Sequence, residues 1–204
     1  MIVDKAIIED EITEQRLARA DIYSMLSAFL MAPLSDGQIA WLAQVGSSTD
    51  RVEDSLSGCW QSLSDAASEA DVQAESTEFY RLFIGMSGGV LTPYASVYLT
   101  GTMFAAPLVN LRNELKRQGI SFDEERSEPE DHLSSIFDVI AFLLSNDDLD
   151  TAKRLARDYL QPWAEKFADD MAAQAQTALY SSAGVFLKKF LQQEFLYFFR
   201  LSDQ

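Results

Sequence analysis

The segment with the densest reactive chemistry in this 204-residue chain is 127–132, Ser-Glu-Pro-Glu-Asp-His, which contains its only histidine. Three carboxylates beside an imidazole are side chains that bind metals, transfer protons or activate a nucleophile. Each of these chemistries also requires particular partners at particular spacings.

The sequence lacks the further ligands that a metal site would need. A carboxylate di-iron site needs Glu-x-x-His on two helices, whereas this chain has one histidine and Pro129 stands three residues before it. A His-Glu-x-x-His zinc site fails by the same count. The lone cysteine, Cys59, excludes a cysteine zinc site and an internal disulfide, as is typical of a reducing compartment. We therefore predict no metal site.

The glycine-rich segment 85–93, Gly-Met-Ser-Gly-Gly-Val-Leu-Thr-Pro, is the second candidate for ligand chemistry. It matches neither the phosphate-binding pattern Gly-x-x-x-x-Gly-Lys-Ser/Thr nor Gly-x-Gly-x-x-Gly after a strand. A serine–histidine–aspartate relay could use His132, but no nucleophile-elbow motif accompanies it. We expect no catalytic residues and a protein that is not an enzyme.

Helices must position both segments, because apolar residues recur at helical spacing and period-two alternation is nearly absent. Pro129 suits a first helical turn, so we expect a helix from there, capped by Ser127 or Glu128. Pro33 should end the first helix, and Ser35 or Asp36 should cap the second. Further helices are predicted at 51–70, 71–83, 103–118, 150–159, 162–177 and 181–201, whereas 94–101 reads as aromatic and irregular. The predicted fold is an all-α, single globular multi-helix bundle.

The length favours one domain, 1–204. The polar connector 120–127 is the best internal boundary and a plausible hinge between an N-terminal part, 1–119, and a C-terminal part, 128–204. Thirty-two acids against 16 bases give a net charge of −16, which disfavours nucleic acid and anionic membranes and favours basic partners. No secretory signal and no apolar run of about 20 residues stand out, so a cytoplasmic protein is expected.

Two segments could meet in a peptide-binding groove. The loop 93–98 is rich in aromatic and small residues, and the helix start 128–132 is acidic. Together they could form a partly apolar groove with a negative lip, suited to arginines beside a hydrophobic stretch. The alternative is that the tyrosines are core residues and the acids a solvated cap.

Three segments resemble, in order and spacing, signatures of the TorD/DmsD family. They are 78–85, Glu-Phe-Tyr-Arg-Leu-Phe-Ile-Gly; 93–98, Pro-Tyr-Ala-Ser-Val-Tyr; and 128–133, Glu-Pro-Glu-Asp-His-Leu. Residues 19–27 also look like the opening helix of that family. Its members are cytoplasmic chaperones for molybdenum-cofactor oxidoreductases exported by the twin-arginine route.

The resemblance implies a TorD-like fold that binds the twin-arginine signal peptide and the apo-form of a molybdopterin-dependent oxidoreductase. Such a chaperone assists cofactor insertion and delays export until maturation. The resemblance also implies a monomer or a domain-swapped dimer, and weak guanine-nucleotide binding as in some members. It does not identify the client enzyme.

The resemblance also implies a peptide site. Carried over by motif, its residues are Phe79, Arg81, Phe83, Gly85, Pro93, Tyr94, Ser96, Tyr98, Glu128, Glu130, Asp131 and His132. In this hypothesis, Asp131 and Glu128 pair with the arginines and His132 orients Asp131. Tyr94, Tyr98 and Phe83 take the apolar residues that follow. Some relatives carry tryptophan at the positions of Phe79, Tyr94 and Tyr98.

One alternative function stays open from the sequence. An acidic helical adaptor or regulator could bind a basic protein segment unrelated to export. The two hypotheses differ in the partner, and both use the same negative charge.

Overall fold

The computed structural model describes residues 5–45, 56–85, 88–122 and 128–200, and these form helices joined by short loops. The helices are α1 (Lys5–Met31), α2 (Asp36–Val45), α3 (Ser57–Ser68), α4 (Val72–Phe79), α5 (Ala95–Thr100), α6 (Ala106–Arg117), α7 (Leu133–Ser145), α8 (Leu149–Leu155), α9 (Ala164–Gln174) and α10 (Ala178–Arg200). Helices α4 and α8 continue into π-helical turns, Tyr80–Ile84 and Ala156–Leu160. The described ranges contain no strand, and the predicted all-α fold is confirmed.

Local chemistry explains several helix starts. Before α2, the Ser35 hydroxyl accepts a hydrogen bond from the Gln38 amide at 3.4 Å, and the Gln38 side chain accepts from the Ser35 amide at 2.9 Å. This reciprocal pair is a capping box, which satisfies two otherwise unpaired backbone donors. The predicted cap at Ser35 is therefore confirmed. Before α4, Asp71 accepts from the Ala74 amide at 2.8 Å in the same way.

Helix α7 lies at the centre of the core, since ten of its 13 residues are buried. Its Phe137 ring contacts Tyr23 of α1, with ring centroids 5.5 Å apart. Tyr23 in turn meets Phe190 of α10 edge-on at 4.9 Å. Helices α9 and α10 approach closely at Gly184, where an added Cβ would lie 2.5 Å from the Ala172 amide nitrogen. Buried side chains from α1 to α10 thus form one cluster.

Two local predictions are wrong. Helix α7 begins at Leu133 with His132 as its N-cap, so Pro129 does not lie in its first turn and Glu128 does not cap it. The predicted cap at Ser127 lies outside the described residues. Residues 95–100 form the short helix α5 instead of an irregular segment. Both differences arise from contacts between these two segments, as the site geometry shows.

The connector between α6 and α7 is described in part. Residues 120–122 follow α6, whereas 123–127 lie outside the described residues. The hinge at 120–127 and the assignment of one domain therefore stay predictions. Among the described helices, none combines the length and the apolar character needed to cross a bilayer.

Candidate functional site

The structure brings the tyrosine segment 93–98 against the acidic segment 128–133. The Leu133 amide donates to the Pro93 carbonyl at 2.8 Å, and the Ala95 amide donates to the Asp131 carbonyl at 3.0 Å. These bonds flank an isolated antiparallel bridge between Tyr94 and His132. The starts of α5 and α7 are consequently fixed to each other.

Asp131 and His132 are helix caps in this arrangement. The Asp131 carboxylate accepts from the Ser96 amide at 2.9 Å, in the first turn of α5. The His132 Nδ1 accepts from the Ser134 amide at 3.2 Å, in the first turn of α7. Both side chains are buried, with Asp131 1% and His132 4% exposed. They hold the two helix starts and present little surface to a ligand.

Two tyrosines, Tyr98 on α5 and Tyr94 directly before it, each donate their hydroxyl to a carboxylate. Tyr94 bonds Glu128, and Tyr98 bonds Asp170 of α9 at 3.1 Å. Burial, followed by the adjacent carboxylate, raises the pKa of both tyrosines well above the ordinary value. Both hydroxyls therefore stay protonated at neutral pH and act as donors. The Tyr98 amide donates to the Tyr94 carbonyl at 3.2 Å, so the two pairs lie one helical turn apart.

Glu130 and Arg81 are held in ion pairs. Arg112 of α6 contacts both carboxylate oxygens of Glu130, each at 2.6 Å, and this hydrogen bonding lowers the pKa of Glu130. Arg81 makes a matching two-point contact with Glu78 at 2.7 and 2.8 Å. The Arg81 guanidinium also donates to the Gln174 carbonyl at 2.6 Å, which satisfies the C-terminal end of α9.

The glycine-rich loop returns along the π-helical turn that follows α4. The Leu91 amide donates to the Leu82 carbonyl at 2.8 Å. Gly89 makes this approach feasible, because a Cβ there would lie 2.3 Å from the Leu82 carbonyl oxygen. Gly85 has φ of +40°, a value that favours glycine. The loop is thereby directed toward α5 and α9.

Between this loop, α5 and α9 lies an open groove of about 440 Å³. It is lined by Val90, Leu91, Thr92, Val97, Tyr98, Asp170 and Gln174. Val90 is half exposed, whereas Leu91 is buried. The groove thus combines aliphatic walls with one carboxylate and a tyrosine hydroxyl, which suits a cationic side chain next to an apolar one.

The twelve predicted site residues differ in accessibility. The buried members are Phe79, Pro93, Ser96, Asp131 and His132. The accessible or partly accessible members are Arg81, Phe83, Gly85, Tyr94, Tyr98, Glu128 and Glu130. Phe79 and Phe83 pack against each other, with ring centroids 5.3 Å apart. Only Tyr98 of the twelve lines the groove.

Six of the seven groove residues are outside the predicted site. Four of them stand in the segments 85–93 and 93–98 that the sequence singled out, whereas two, Asp170 and Gln174, stand in neither. They lie more than 70 positions beyond Tyr98, on a helix whose local pattern shows only ordinary exposed acids. Nothing in their immediate sequence marks them. Within the part of the chain that the structure describes, no group of three or more His, Cys, Asp or Glu side chains is arranged to hold a metal ion.

Sequence comparison defines the class of protein. Residues 49–169 match the nitrate reductase delta subunit family, so the chain belongs to that family. Among relatives, the Tat proofreading chaperone DmsD of Salmonella typhimurium is 31% identical over 115 residues, 55% of this chain and 56% of that protein. The match therefore spans little more than half of that relative's length.

A second relative covers more of the chain. The chaperone protein TorD of Aliivibrio fischeri is 31% identical over 149 residues, 66% of this chain and 68% of that protein. Together with the DmsD match, it confirms the resemblance to the TorD/DmsD family.

The fold comparison agrees with this family. The crystal structure of a proposed redox enzyme maturation protein from Archaeoglobus fulgidus superposes with a TM-score of 0.60. It is 18% identical in sequence, and the match covers 85% of this chain and 93% of the other. At this identity the likeness concerns the fold, and it confirms the predicted TorD-like architecture.

Proposed function

We propose that this protein is a cytoplasmic chaperone for a molybdopterin-dependent oxidoreductase. It binds the twin-arginine signal peptide and the apo-form of that enzyme, assists cofactor insertion and delays export until maturation. Membership of the TorD/DmsD family is the observation that carries the proposal. The named relatives are chaperones, in agreement with the expectation that this chain is not an enzyme.

The site geometry supports a binding role. Within segments 93–98 and 128–133, the predicted contacts that stay partly accessible are Tyr94, Tyr98, Glu128 and Glu130. Asp131 fixes the start of the helix that carries Tyr98 and directly follows Tyr94. An accessible acidic and aromatic surface on a fixed backbone suits recognition of a basic, partly apolar segment. The client, monomer or swapped-dimer state and weak guanine-nucleotide binding remain parts of the proposal to be measured.

Co-purification tests the proposal directly. The tagged protein is expressed with the precursor of a molybdopterin oxidoreductase, once with its twin-arginine leader and once with the leader deleted. Because the proposal includes contacts with leader and enzyme body, we expect the full precursor to be recovered in larger amount than the leaderless form. The same precursor purified from cells unable to make the cofactor should be recovered best, since the apo-form is the bound state.

Three controls make the result decisive. A leader with both arginines changed to glutamine should reduce recovery, and an unrelated exported protein should not be recovered. Recovery of unrelated basic proteins with equal efficiency would instead favour the adaptor function. Failure to recover precursors of trimethylamine oxide, dimethyl sulfoxide and formate enzymes would contradict the proposal.

A further inference from the structure

We propose that the groove between residues 90–92, α5 and α9 binds an arginine of the client leader, with Asp170 as the carboxylate that receives its guanidinium. This rests on the proposed function and assigns a site outside the predicted motif residues, apart from Tyr98. The aliphatic lining of Val90, Leu91 and Val97 takes the apolar residue next to that arginine.

Asp170 already has a partner at each carboxylate oxygen, and one of the two is a solvent-exposed lysine that an arginine can replace. Its carboxylate accepts from the Tyr98 hydroxyl at 3.1 Å and also pairs with Lys166, one turn earlier on α9. The Lys166 side chain is 66% exposed and that of Asp170 31% exposed. An exposed pair of this kind contributes little, since solvent screens it and the lysine is flexible. An incoming arginine can therefore displace Lys166 at low cost.

Tyr98 gives the carboxylate a defined orientation. Its ring is packed against Trp163 and Phe167, with centroids 5.3 and 5.8 Å away. The hydroxyl is therefore held by the core and fixes one oxygen of Asp170. A fixed, planar carboxylate favours the planar two-point contact of a guanidinium over the single contact of an ammonium. The groove should accordingly prefer arginine to lysine.

The Tyr94–Glu128 pair repeats this arrangement four residues earlier, directly before α5. Successive side chains of an extended peptide point to opposite faces of its backbone. Two adjacent arginines can then be read separately, one by Asp170 and the other by Glu128. The net charge of −16 favours such a cationic occupant over an acidic one.

A peptide titration tests this assignment. The probe is a synthetic peptide with two adjacent arginines before a short leucine–alanine stretch, compared by calorimetry with the same peptide carrying two lysines. For the unaltered protein we expect tighter binding of the arginine peptide. Asp170→Asn should weaken that binding about tenfold, because a charge-assisted contact is lost, and should reduce the preference over lysine.

A matched control lies beside Asp170 on the same helix. Asp169 is an exposed acid that pairs with Lys188 at 2.8 Å and does not line the groove. Asp169→Asn removes the same charge and should leave the affinity for the arginine peptide within about twofold. Glu128→Gln should weaken binding of the arginine peptide by about the same factor as Asp170→Asn. A peptide with one arginine should lose affinity in fewer of these variants.

The outcomes separate this inference from the proposed function. Unchanged affinity in Asp170→Asn with an unchanged melting temperature, or equal losses in Asp169→Asn and Asp170→Asn, would overturn the groove assignment. So would failure of the unaltered protein to bind the arginine peptide. In each case, recovery of the full precursor by co-purification would leave the chaperone function standing.

Discussion

At the scale of single residues, Asp131 bonds the start of α5 through both its buried side chain and its backbone. Its carboxylate accepts from the Ser96 amide, while its carbonyl accepts from the Ala95 amide. The side chain therefore satisfies one backbone donor at the positive end of α5. The same carboxylate was predicted to contact arginines, but its burial favours a positioning role.

Asp131→Ala should lower the free energy of unfolding by about 2 kcal/mol, because a buried donor loses a charged acceptor. Chemical denaturation measures the difference, and Asp169→Ala serves as an exposed control with a change of about 0.5 kcal/mol or less. Peptide binding should weaken too, since Tyr98 lies on α5 and Tyr94 directly precedes it. A stable Asp131→Ala protein that loses only peptide affinity would instead place Asp131 in direct contact with the ligand.

At the scale of elements, two acids on α4 fasten the connector between α9 and α10. Glu78 accepts from Arg81 and from the Gln176 amide at 2.6 Å. Glu75 accepts from the Thr177 hydroxyl at 2.7 Å. Burial raises the pKa of Glu75. At Glu78 burial acts in the same direction, but the bonds from Arg81 and Gln176 outweigh it and lower the pKa.

These opposite shifts predict opposite pH dependences for two similar variants. The Glu78 carboxylate stabilises the fold at pH values above its ordinary pKa of 4.5. This stabilisation is lost as the pH falls through the lowered pKa of Glu78 in the folded protein. Glu78→Gln should therefore cost about 2 kcal/mol near pH 7 and less in acid. Burial makes ionisation of Glu75 unfavourable in the folded protein, so the parent loses stability as pH rises above 4.5. Glu75→Gln has no such group and should therefore become more stable relative to the parent over the same range.

Urea unfolding of both variants and the parent between about pH 3 and pH 7 measures these dependences. Each glutamine keeps the size and an acceptor oxygen, so the two variants are matched controls for each other. Equal pH slopes for Glu75→Gln and Glu78→Gln would contradict the prediction.

The elements also show what could be predicted from the sequence. The helix at 36–45 could be predicted because Ser35 and Gln38 encode its capping box within four residues. The start of α7 could not, because Leu133 and Asp131 bond to Pro93 and Ala95, more than 30 positions away. The same long-range bonds give α5 its cap at Asp131. Local propensity indicated a helix at Pro129 and an irregular segment at 94–101, and tertiary contacts overrode both.

Some residues of the candidate site could likewise be predicted from local sequence, and others could not. Tyr94, Tyr98 and Glu128 stand in segments with recognisable motifs, so sequence reasoning could name them. Asp170 is brought to Tyr98 by the packing of α9 against α5, which no local pattern encodes. The sequence also could not predict which acids are buried. Asp131 and Glu130 are neighbours in sequence, but Asp131 is a buried cap, whereas Glu130 pairs with Arg112 nearer the surface.

At the scale of the whole molecule, a net charge of −16 surrounds one apolar cluster. Charge of this size acts over about a Debye length, roughly 8 Å at physiological salt, and therefore affects encounter more than contact. The local carboxylates and the overall field should then control different rates. Local contacts chiefly set how slowly a basic peptide leaves, whereas the field sets how fast it arrives.

The association rate of a twin-arginine peptide should consequently fall about tenfold as salt rises from about 0.02 M to about 0.3 M, because counterions screen the attraction. Stopped-flow fluorescence with a labelled peptide measures this rate. Asp170→Asn removes one of many charges, so it should raise the dissociation rate while leaving the salt dependence of association nearly intact. A peptide with glutamines in place of all basic residues is the control and should associate at a salt-independent rate. Equal salt dependence for both peptides would show that the net charge does not steer binding.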